Sequence, residues 1–288
     1  MTVRSAPQYA DRLALRWTVG DVHSRGYELL RLSITCASHI FGPAAKYLVC
    51  VNEISVTEAK NRTGPIGADV EWRQVARSDM PCIFREYFED DMIAGMGWKL
   101  VPLRTCPDRH ELALDNDCVL WELPDAIVRW LQTGRGVVIA EDVERYLGSF
   151  ESLCPPGAFN AGIRGLAKGV DLLESLSSVL SQVRRLIGGK RLVDEIEEQG
   201  LQAAALCQCP PLHLVRTDEV SICSPFWPRS PELGRCGAHF VGINAHSIPW
   251  SYYHRPADAW LADHWRRHRQ ELYRRAGIEP LEECTGSE

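Results

Sequence analysis

The sequence predicts an α/β fold with a mixed central sheet, helices on its flanks and a C-terminal helical appendage. Two observations predict it. Short apolar runs of strand length alternate with segments whose apolar residues recur every three or four positions. The last periodic segment, residues 256–276, is long and carries many arginines outside its apolar face. We therefore expect a main domain over residues 1–250 and an appendage over residues 251–288 packed on it.

The first half of the chain alternates predicted strands and helices. Apolar runs or weak alternation predict the strands, the last of which ends in carboxylates. One helix is predicted where an acidic cluster lies near the start of an amphipathic segment, and another where the segment begins near Pro124. The predicted strands are residues 31–35, 47–52, 70–75 and 111–115, and the predicted helices are residues 84–96 and 124–131.

The second half continues the alternation. Its strongest helix has a capping-box pair, Asp171 and Glu174, apolar residues at helical spacing, and Gly188-Gly189 as a stop signal. A further helix is expected to be interrupted at Gly200. The predicted strands are residues 136–140, 159–166, 212–215, 220–223 and 238–244, and the predicted helices are residues 171–187, 192–206 and 256–276.

Composition narrows the classes of function. The 288 residues are 45% hydrophobic and 24% charged, with a formal net charge of -6, which indicates a globular protein with a sizeable core. A non-specific nucleic-acid binder is disfavoured, because such proteins gain affinity from a basic surface. No run of about 18 apolar residues and no signal-peptide pattern is present, so we expect a cytoplasmic protein without a transmembrane segment.

The cysteines do not indicate a disulfide framework. There are eleven of them, an odd number, scattered along the chain and in part inside apolar runs. Cys207, Cys209, Cys223 and Cys236, together with His239, contain enough ligands for a zinc site, but the usual Cys-x-x-Cys spacing is missing. Buried free thiols are the favoured interpretation.

The sequence Asp115-Asn116-Asp117 is the most informative feature. In an extended chain the two aspartates point the same way, about 6 to 7 Å apart along the strand. Carboxylates that close repel each other unless a cation lies near them, and oxygen ligands suit Mg²⁺ or Mn²⁺ shared with a phosphate. The alternative is a simple turn, since Asp and Asn are favoured in turns.

Three motifs then resemble, in order, those of a known family. The apolar strand with Asp115 and Asp117 resembles the Asp-x-Asp strand of GT-A-fold glycosyltransferases. Phe159-Asn160-Ala161-Gly162 resembles the Phe-Asn-(Ser/Ala)-Gly strand of the glycogenin and lipopolysaccharide galactosyltransferase family. His239-Phe240-Val241-Gly242, followed by Pro249-Trp250, is similar to that family's His-x-x-Gly-x-x-Lys-Pro-Trp element. The resemblance implies a GT-A-like catalytic domain.

The resemblance also implies a donor site. In the family, the two aspartates and the histidine hold a divalent ion on the diphosphate of a nucleotide sugar, which assigns Asp115, Asp117 and His239 to Mn²⁺ or Mg²⁺. The alternative for His239 is a core histidine. Further residues of the expected donor site are the cations Lys99 and Arg164 and the glycines Gly162 and Gly242. An exposed lysine at a helix end is the alternative for Lys99.

Glu198-Gln199 resembles the Asp-Gln pair that the family places beside the reacting sugar; the alternative is a solvated helix face. Asn160 is expected to line the same pocket, and the alternative is that it caps a turn. The segment between Gly242 and Pro249 is longer than in the family and lacks its lysine. His246, in that segment, is therefore an alternative ligand to His239.

These observations predict a metal-dependent, hexosyltransferase-like glycosyltransferase. Its donor is expected to be a UDP- or GDP-sugar, its acceptor is undefined, and retention of the anomeric configuration is favoured by the resemblance alone. A catalytically silent protein of the same fold that binds a sugar or a partner is one alternative, motivated by the missing lysine. A nucleotide-sugar hydrolase is the other.

Overall fold

The computed structural model describes residues 6–88, 96–189, 191–192, 196–226 and 232–280. Its strands are β1 Leu13–Val19, β2 Lys46–Val51, β3 Val70–Gln74, β4 His110–Asp115, β5 Cys118–Leu120, β6 Val137–Glu141, β7 Phe159–Leu166, β8 Leu212–Val215, β9 Val220–Ile222, β10 Gly237–His239, β11 Ser251–Tyr252 and β12 Arg255–Pro256. Its α-helices are α1 Ser24–Phe41, α2 Val56–Thr63, α3 Cys82–Tyr87, α4 Asp125–Thr133, α5 Leu172–Leu186, α6 Ile196–Cys207 and α7 Ala257–Ala276.

A seven-stranded mixed sheet forms the centre, in the order β3-β2-β1-β4-β7-β6-β8. The first four strands of that order are parallel, while β7 runs antiparallel to both of its neighbours, β4 and β6. Apolar side chains fill the spaces on its two faces: α1 and α4 contribute to one core cluster, and α5 and α6 contribute to another. The predicted α/β class with a mixed central sheet is confirmed.

The prediction of a strand at residues 31–35 is wrong, because this segment lies inside α1. The helix is buried on two sides: Leu30 and Ile34 pack in the main core, while Leu29 and Leu32 pack in a second cluster. A helix with two buried sides has few polar positions, so a short window of it reads as a strand.

The first strand of the sheet is β1, which the sequence analysis did not identify. Arg16, in the middle of that strand, is only 1% exposed. Its Nε lies 3.6 Å from the Oε1 of the equally buried Glu111 on the neighbouring β4. A charged residue in the middle of an apolar run argues against a buried strand. Here the run is a central strand all the same, because the charge is paired with a residue far away in the sequence.

Most other predicted elements are confirmed with shifts at their ends, and three differ. Helix α6 continues through Gly200. The strand predicted at 238–244 is the shorter β10, followed by a turn. The helix predicted at 84–96 is represented by α3, which ends at Tyr87, and residues 89–95 lie outside the described residues.

A small second sheet, in the order β5-β10-β9, lies beside the main one. Strand β10 is antiparallel to β5 and parallel to β9. Helix α7 packs against α1 and this sheet through a cluster that includes Trp265, Leu272, Phe240 and Val119. His268 and Leu261 are buried on the same helix, so the predicted apolar face of α7 is confirmed.

Candidate functional site

The main sheet reverses its strand order between β1 and β4. From β1 the chain builds outward through β2 and β3, and it then returns to place β4 on the other side of β1. At such a switch point the loops leave in opposite directions, which opens a crevice at the carboxyl ends of the strands. A cavity of about 660 Å³ lies there. Residues that follow the strands line it, among them Gly20 and Asp21 after β1, Asn52 after β2, and Asp117 after β4.

An acidic pair and a histidine meet in this cavity. Asp115 ends β4, Asp117 follows it, and His239 ends β10, which pairs with β5 so that His239 is opposite Cys118. The His239 Nε2 lies 3.5 Å from the Asp115 Oδ2 and 3.2 Å from the Asp117 Oδ1. One ligand atom from each residue lies within 4.8 Å of the others. The structure thus brings together three residues that are 124 positions apart at most.

Two asparagines that the sequence analysis did not select hold the acidic pair in place. The Asn244 Nδ2 donates a 2.9 Å hydrogen bond to the Asp117 Oδ2. Asn116 and Asn244 also bond each other, with the Asn116 Nδ2 donating to the Asn244 Oδ1 at 2.7 Å. Asn244 therefore orients the Asp-x-Asp turn from a loop far along the chain, through Asp117 and through Asn116 within the turn.

Lys99 lies against the acidic pair. Its Nζ donates a 2.7 Å hydrogen bond to the Asp115 Oδ2 and lies 3.8 Å from the Glu198 Oε2. The lysine belongs to a 3₁₀ turn, Met96–Leu100, whose Lys99 carbonyl accepts a 3.2 Å hydrogen bond from the buried Arg16. The guanidinium of Arg16 also donates to the Pro102 carbonyl. A core ion pair thus anchors the segment that carries this cation.

The charges in the cluster are strongly coupled. Burial lowers the pKa of His239, but the negative charges of Asp117 and Asp115 outweigh burial and raise that pKa to about 9. Burial likewise opposes ionisation of Asp115, but the nearby Lys99 and His239 hold the pKa of Asp115 well below its usual range. The two carboxylates thus face two cationic groups, Lys99 and His239. Two buried carboxylates this close together stay ionised only when positive charge lies beside them.

The residues fit a divalent cation. Asp117 Oδ1 is buried and accepts no hydrogen bond from the described residues, although the imidazole of His239 is near. A buried carboxylate oxygen without a donor is costly unless a cation satisfies it. Carboxylate oxygens with one imidazole form a ligand set that Mn²⁺ or Mg²⁺ accepts.

A second wall of the cavity carries amides and carboxylates. Asp142 follows β6, and its Oδ2 accepts hydrogen bonds from the Asn160 Nδ2 at 3.1 Å and the Gln199 Nε2 at 3.4 Å. Glu198 is buried on α6 and accepts a hydrogen bond from Gln202. Burial, followed by the charge of Asp115, raises the pKa of Glu198 against the opposing effect of Lys99. The sequence analysis missed Asp142, although a polar residue directly after a buried strand is the signal that selected Asp115.

Similar structures exist, whereas sequence comparison finds none: no family model and no curated protein matches the chain. The chain resembles an active-site variant of LgtC, a galactosyltransferase, with a TM-score of 0.51, 14% identity and coverage of 94% of this chain and 98% of that one. It resembles mouse xyloside xylosyltransferase 1 with a TM-score of 0.53, 13% identity and coverage of 83% and 99%. The bifunctional glycosyltransferase WbbM gives a TM-score of 0.52 at 13% identity, covering 91% of this chain and 51% of WbbM.

The chain has a GT-A glycosyltransferase fold. At these identities the likeness establishes the fold alone. In this GT-A fold the switch-point cavity contains most of the residues that the motifs select. Those that line it are Lys99, Asp115, Asp117, Asn160, Gly162, Glu198, Gln199, His239 and Gly242.

Two of the selected residues lie elsewhere in the GT-A fold. Arg164 is buried beneath the cavity, where its Nη1 donates a 2.6 Å hydrogen bond to Gln202. Burial, then the charge of Arg16, lowers the pKa of Arg164 to about 9. The side chain of His246 is 57% exposed, and its Nε2 lies 3.5 Å from Asp21. Of the two histidines that the motif offered, His239 is the one beside the aspartates.

The glycines of the motifs have steric roles in the GT-A fold. A Cβ on Gly162 would lie 2.4 Å from the Cε1 of His239, so the absence of a side chain lets the imidazole rest on β7. Gly242 has φ of 90°, a conformation that favours glycine, at the turn where the chain leaves β10. Both glycines therefore shape the position of His239.

The cysteine set considered for zinc does not assemble. Within the described part of the chain, none of the candidate metal clusters contains Cys207, Cys209 or Cys236. No disulfide joins any of the ten cysteines that are described. Among the described helices none is long and apolar enough to cross a membrane.

Proposed function

We propose that this protein is a divalent-metal-dependent glycosyltransferase that moves a sugar from a UDP- or GDP-sugar to an acceptor. The observation that carries the proposal is the cluster of Asp115, Asp117 and His239 in the switch-point cavity. The cavity has a volume of about 660 Å³, which is in the range of cavities that hold small-molecule ligands. The solved structures that it resembles are named as glycosyltransferases, which supports the same class of reaction here.

Asp115, Asp117 and His239 would hold Mn²⁺ or Mg²⁺. When bound, such an ion stabilises the negative charge that develops on the leaving diphosphate. Lys99 adds a second positive charge at the same place, since its ammonium already lies 2.7 Å from Asp115. In a protein of net charge -6, these groups provide the local positive charge that an anionic donor needs.

The opposite wall supports a role at the sugar. Asn160, Gln199 and Asp142 form a connected set of hydrogen-bonding groups that can bind sugar hydroxyls. Glu198 places a carboxylate between this set and Lys99. In the reaction, the bond from the anomeric carbon to the diphosphate breaks, and the nucleoside diphosphate leaves with the electron pair. A bond to the acceptor oxygen forms, and the acceptor hydroxyl gives up its proton. We propose retention at that carbon on the family resemblance.

The proposal includes a cytoplasmic location. The ten cysteines that the structure describes form no disulfide, which supports this location because an oxidising compartment favours disulfide formation. We also propose that residues 1–250 form the catalytic domain and that α7 belongs to an appendage packed on it.

Isothermal titration calorimetry tests the binding step. UDP and GDP are titrated into the protein with and without Mn²⁺, and we expect binding that needs the ion. The isosteric double variant Asp115→Asn/Asp117→Asn is expected to lose it. Asp69→Asn, an exposed carboxylate before β3, is the matched control and should bind as wild type. A nucleotide affinity that is the same with and without Mn²⁺, and the same in the double variant as in wild type, would contradict the proposal.

Product analysis tests the transfer step. Nucleotide sugars are first screened by thermal stabilisation with Mn²⁺ present, because a ligand that prefers the native state raises the melting temperature. The stabilising donor is then incubated with an acceptor panel, and mass spectrometry identifies the products. A glycosylated acceptor supports transfer, free sugar alone indicates hydrolysis, and neither product indicates a binding protein.

A further inference from the structure

A second cluster of metal-ligating side chains lies where α7 meets the small sheet. Cys223 is the first residue after β9, and His264 and His268 are on α7. One ligand atom from each lies within 4.8 Å of the others. The Cys223 Sγ is 3.3 Å from the His264 Nε2, and the two imidazole centroids are 4.7 Å apart. The three residues are at most 5% exposed.

We propose that Cys223, His264 and His268 form a structural zinc site that fastens α7 to the small sheet. Two histidines four positions apart project from the same face of a helix, which is a recurrent arrangement for binding one Zn²⁺. A thiolate with two imidazoles is a soft ligand set that selects zinc over Mg²⁺ or Ca²⁺. The spacing of the three atoms is short enough for one tetrahedral ion.

The surroundings prepare these side chains for metal. The ring of Phe240 packs beside both imidazoles at 6.0 and 6.1 Å and restricts their orientation. A water would complete four-coordination.

Binding would convert the Cys223 thiol to a thiolate and release its proton to water, while both imidazoles bind as neutral ligands. The proposed zinc site is separate from the switch-point cavity, since none of its three residues lines that cavity. One backbone hydrogen bond nevertheless connects the zinc site to a residue of the cavity. The Cys223 N–H donates a 2.7 Å hydrogen bond to the carbonyl of His239. Zinc here would therefore fix the strand pair that positions His239.

Cobalt substitution of the full-length chain tests the site. The protein is produced with Co²⁺ in place of zinc in the Asp115→Asn/Asp117→Asn background, which removes two carboxylate ligands from the cleft. We expect about one tightly held equivalent, with the thiolate-to-cobalt charge-transfer absorption of a tetrahedral site. Protein that carries no bound cobalt, or cobalt without that absorption, would overturn the proposal.

Variants add a second measurement. Zinc content, measured by inductively coupled plasma mass spectrometry, is expected to fall by at least tenfold in Cys223→Ser and in His268→Gln. The control is Cys36→Ser, a buried thiol at a different position of the same core cluster, which should retain its zinc. Circular dichroism confirms that each variant is folded. If a variant does not fold, the cobalt spectrum of the Asp115→Asn/Asp117→Asn protein decides alone. Equal zinc in Cys223→Ser and Cys36→Ser would contradict the assignment.

Discussion

Gly162 determines how closely His239 can approach the sheet. A methyl group there would lie 2.4 Å from the Cε1 and 2.6 Å from the Nδ1 of His239. The imidazole is buried, so it can relieve the clash only by moving away from its position beside the aspartates.

We predict that Gly162→Ala weakens Mn²⁺-dependent nucleotide binding by about tenfold, as expected when a ligand's orientation is disturbed. It should also cost about 1–3 kcal/mol of unfolding free energy through overpacking. Calorimetry and urea unfolding measure the two effects. Gly67→Ala, where a Cβ meets nothing within 4 Å, is the control. Unchanged binding in Gly162→Ala would argue against His239 as a ligand.

Lys99 should affect the empty and the nucleotide-bound site in opposite directions. Its ammonium competes with a cation for the Asp115 carboxylate, yet it would favour an anionic diphosphate. We predict that Lys99→Met binds Mn²⁺ alone more tightly but binds UDP with Mn²⁺ about tenfold more weakly, the cost of one charge-assisted contact. Titration calorimetry measures both constants, with the exposed Lys60→Met as control. A shift of both constants in the same direction would contradict this role.

The residue scale also shows what a sequence can reveal about a site. Asp115 and Asp117 stand two positions apart after an apolar strand, so their pattern is local. Asn116 and Asn244 are 128 positions apart and meet only through the fold. Asparagine is common in turns, and nothing in the sequence distinguishes these two from others. Predictions of this kind therefore find ligands more readily than the groups that orient them.

At the scale of the elements, a buried ion pair joins β1 to β4 and to the Lys99 segment. Glu111 accepts hydrogen bonds at its Oε2 from the Thr105 N–H at 2.6 Å and the Thr105 hydroxyl at 2.7 Å. Its Oε1 faces Arg16, which binds the Lys99 carbonyl. Removing the charge of Glu111 leaves a buried guanidinium with too little compensation.

We predict that Glu111→Gln lowers the unfolding free energy by about 3 kcal/mol, as is typical when one partner of a buried pair is lost. Urea denaturation measures the change. The matched control is Glu71→Gln, which breaks half-exposed ion pairs with Lys46 and Arg73 and should cost less than about 1 kcal/mol. Equal effects of the two substitutions would mean that burial of the Arg16–Glu111 pair has no energetic role.

Gly200 does not interrupt its helix, although the sequence predicts that it would. Glycine inside a helix predicts a break, but α6 continues through Gly200. A glycine is required at this position because a Cβ there would lie 2.0 Å from the carbonyl oxygen of Leu147. The residue permits close packing on the 3₁₀ segment Gly148–Leu153. Contact with another part of the backbone cannot be read from the local sequence.

Two effects of Gly200→Ala oppose each other. Alanine would favour the helix by about 1 kcal/mol, whereas the contact with a backbone oxygen requires α6 to shift, at a cost of about 1–3 kcal/mol. We predict a net loss of stability, because the clashing atom is not a flexible side chain. Thermal and urea unfolding check the sign, and a more stable variant would contradict the packing described here.

At the scale of the whole molecule, the alternation of elements was predictable and one central strand was not. Helix α5 was predicted from its cap, periodicity and terminal glycines, all of which are local. Strand β1 was missed because its charged centre, Arg16, is neutralised by Glu111, 95 positions away. The order of strands, and with it the cavity, depends on such distant contacts.

The stability of the whole molecule should depend on pH through a histidine outside the site. His110 accepts a 2.9 Å hydrogen bond at Nδ1 from the Lys168 N–H, and its ring packs against Trp130. Burial, followed by the charges of Arg12, Arg104 and Lys168, lowers the pKa of His110 below its ordinary value of 6.5. The unfolded chain therefore takes up a proton at His110 before the folded protein does.

The direction of the effect follows from proton uptake. Below about pH 6.5 the unfolded state binds more protons at His110, so unfolding free energy decreases as pH falls toward the folded-state pKa. We predict that His110→Asn, which retains an acceptor but does not titrate, has a shallower loss of stability between about pH 7 and 5.5 than wild type. Urea unfolding across this range measures the slope. The exposed His254→Asn is the control, and an identical slope in His110→Asn would exclude His110 as a source of acid sensitivity.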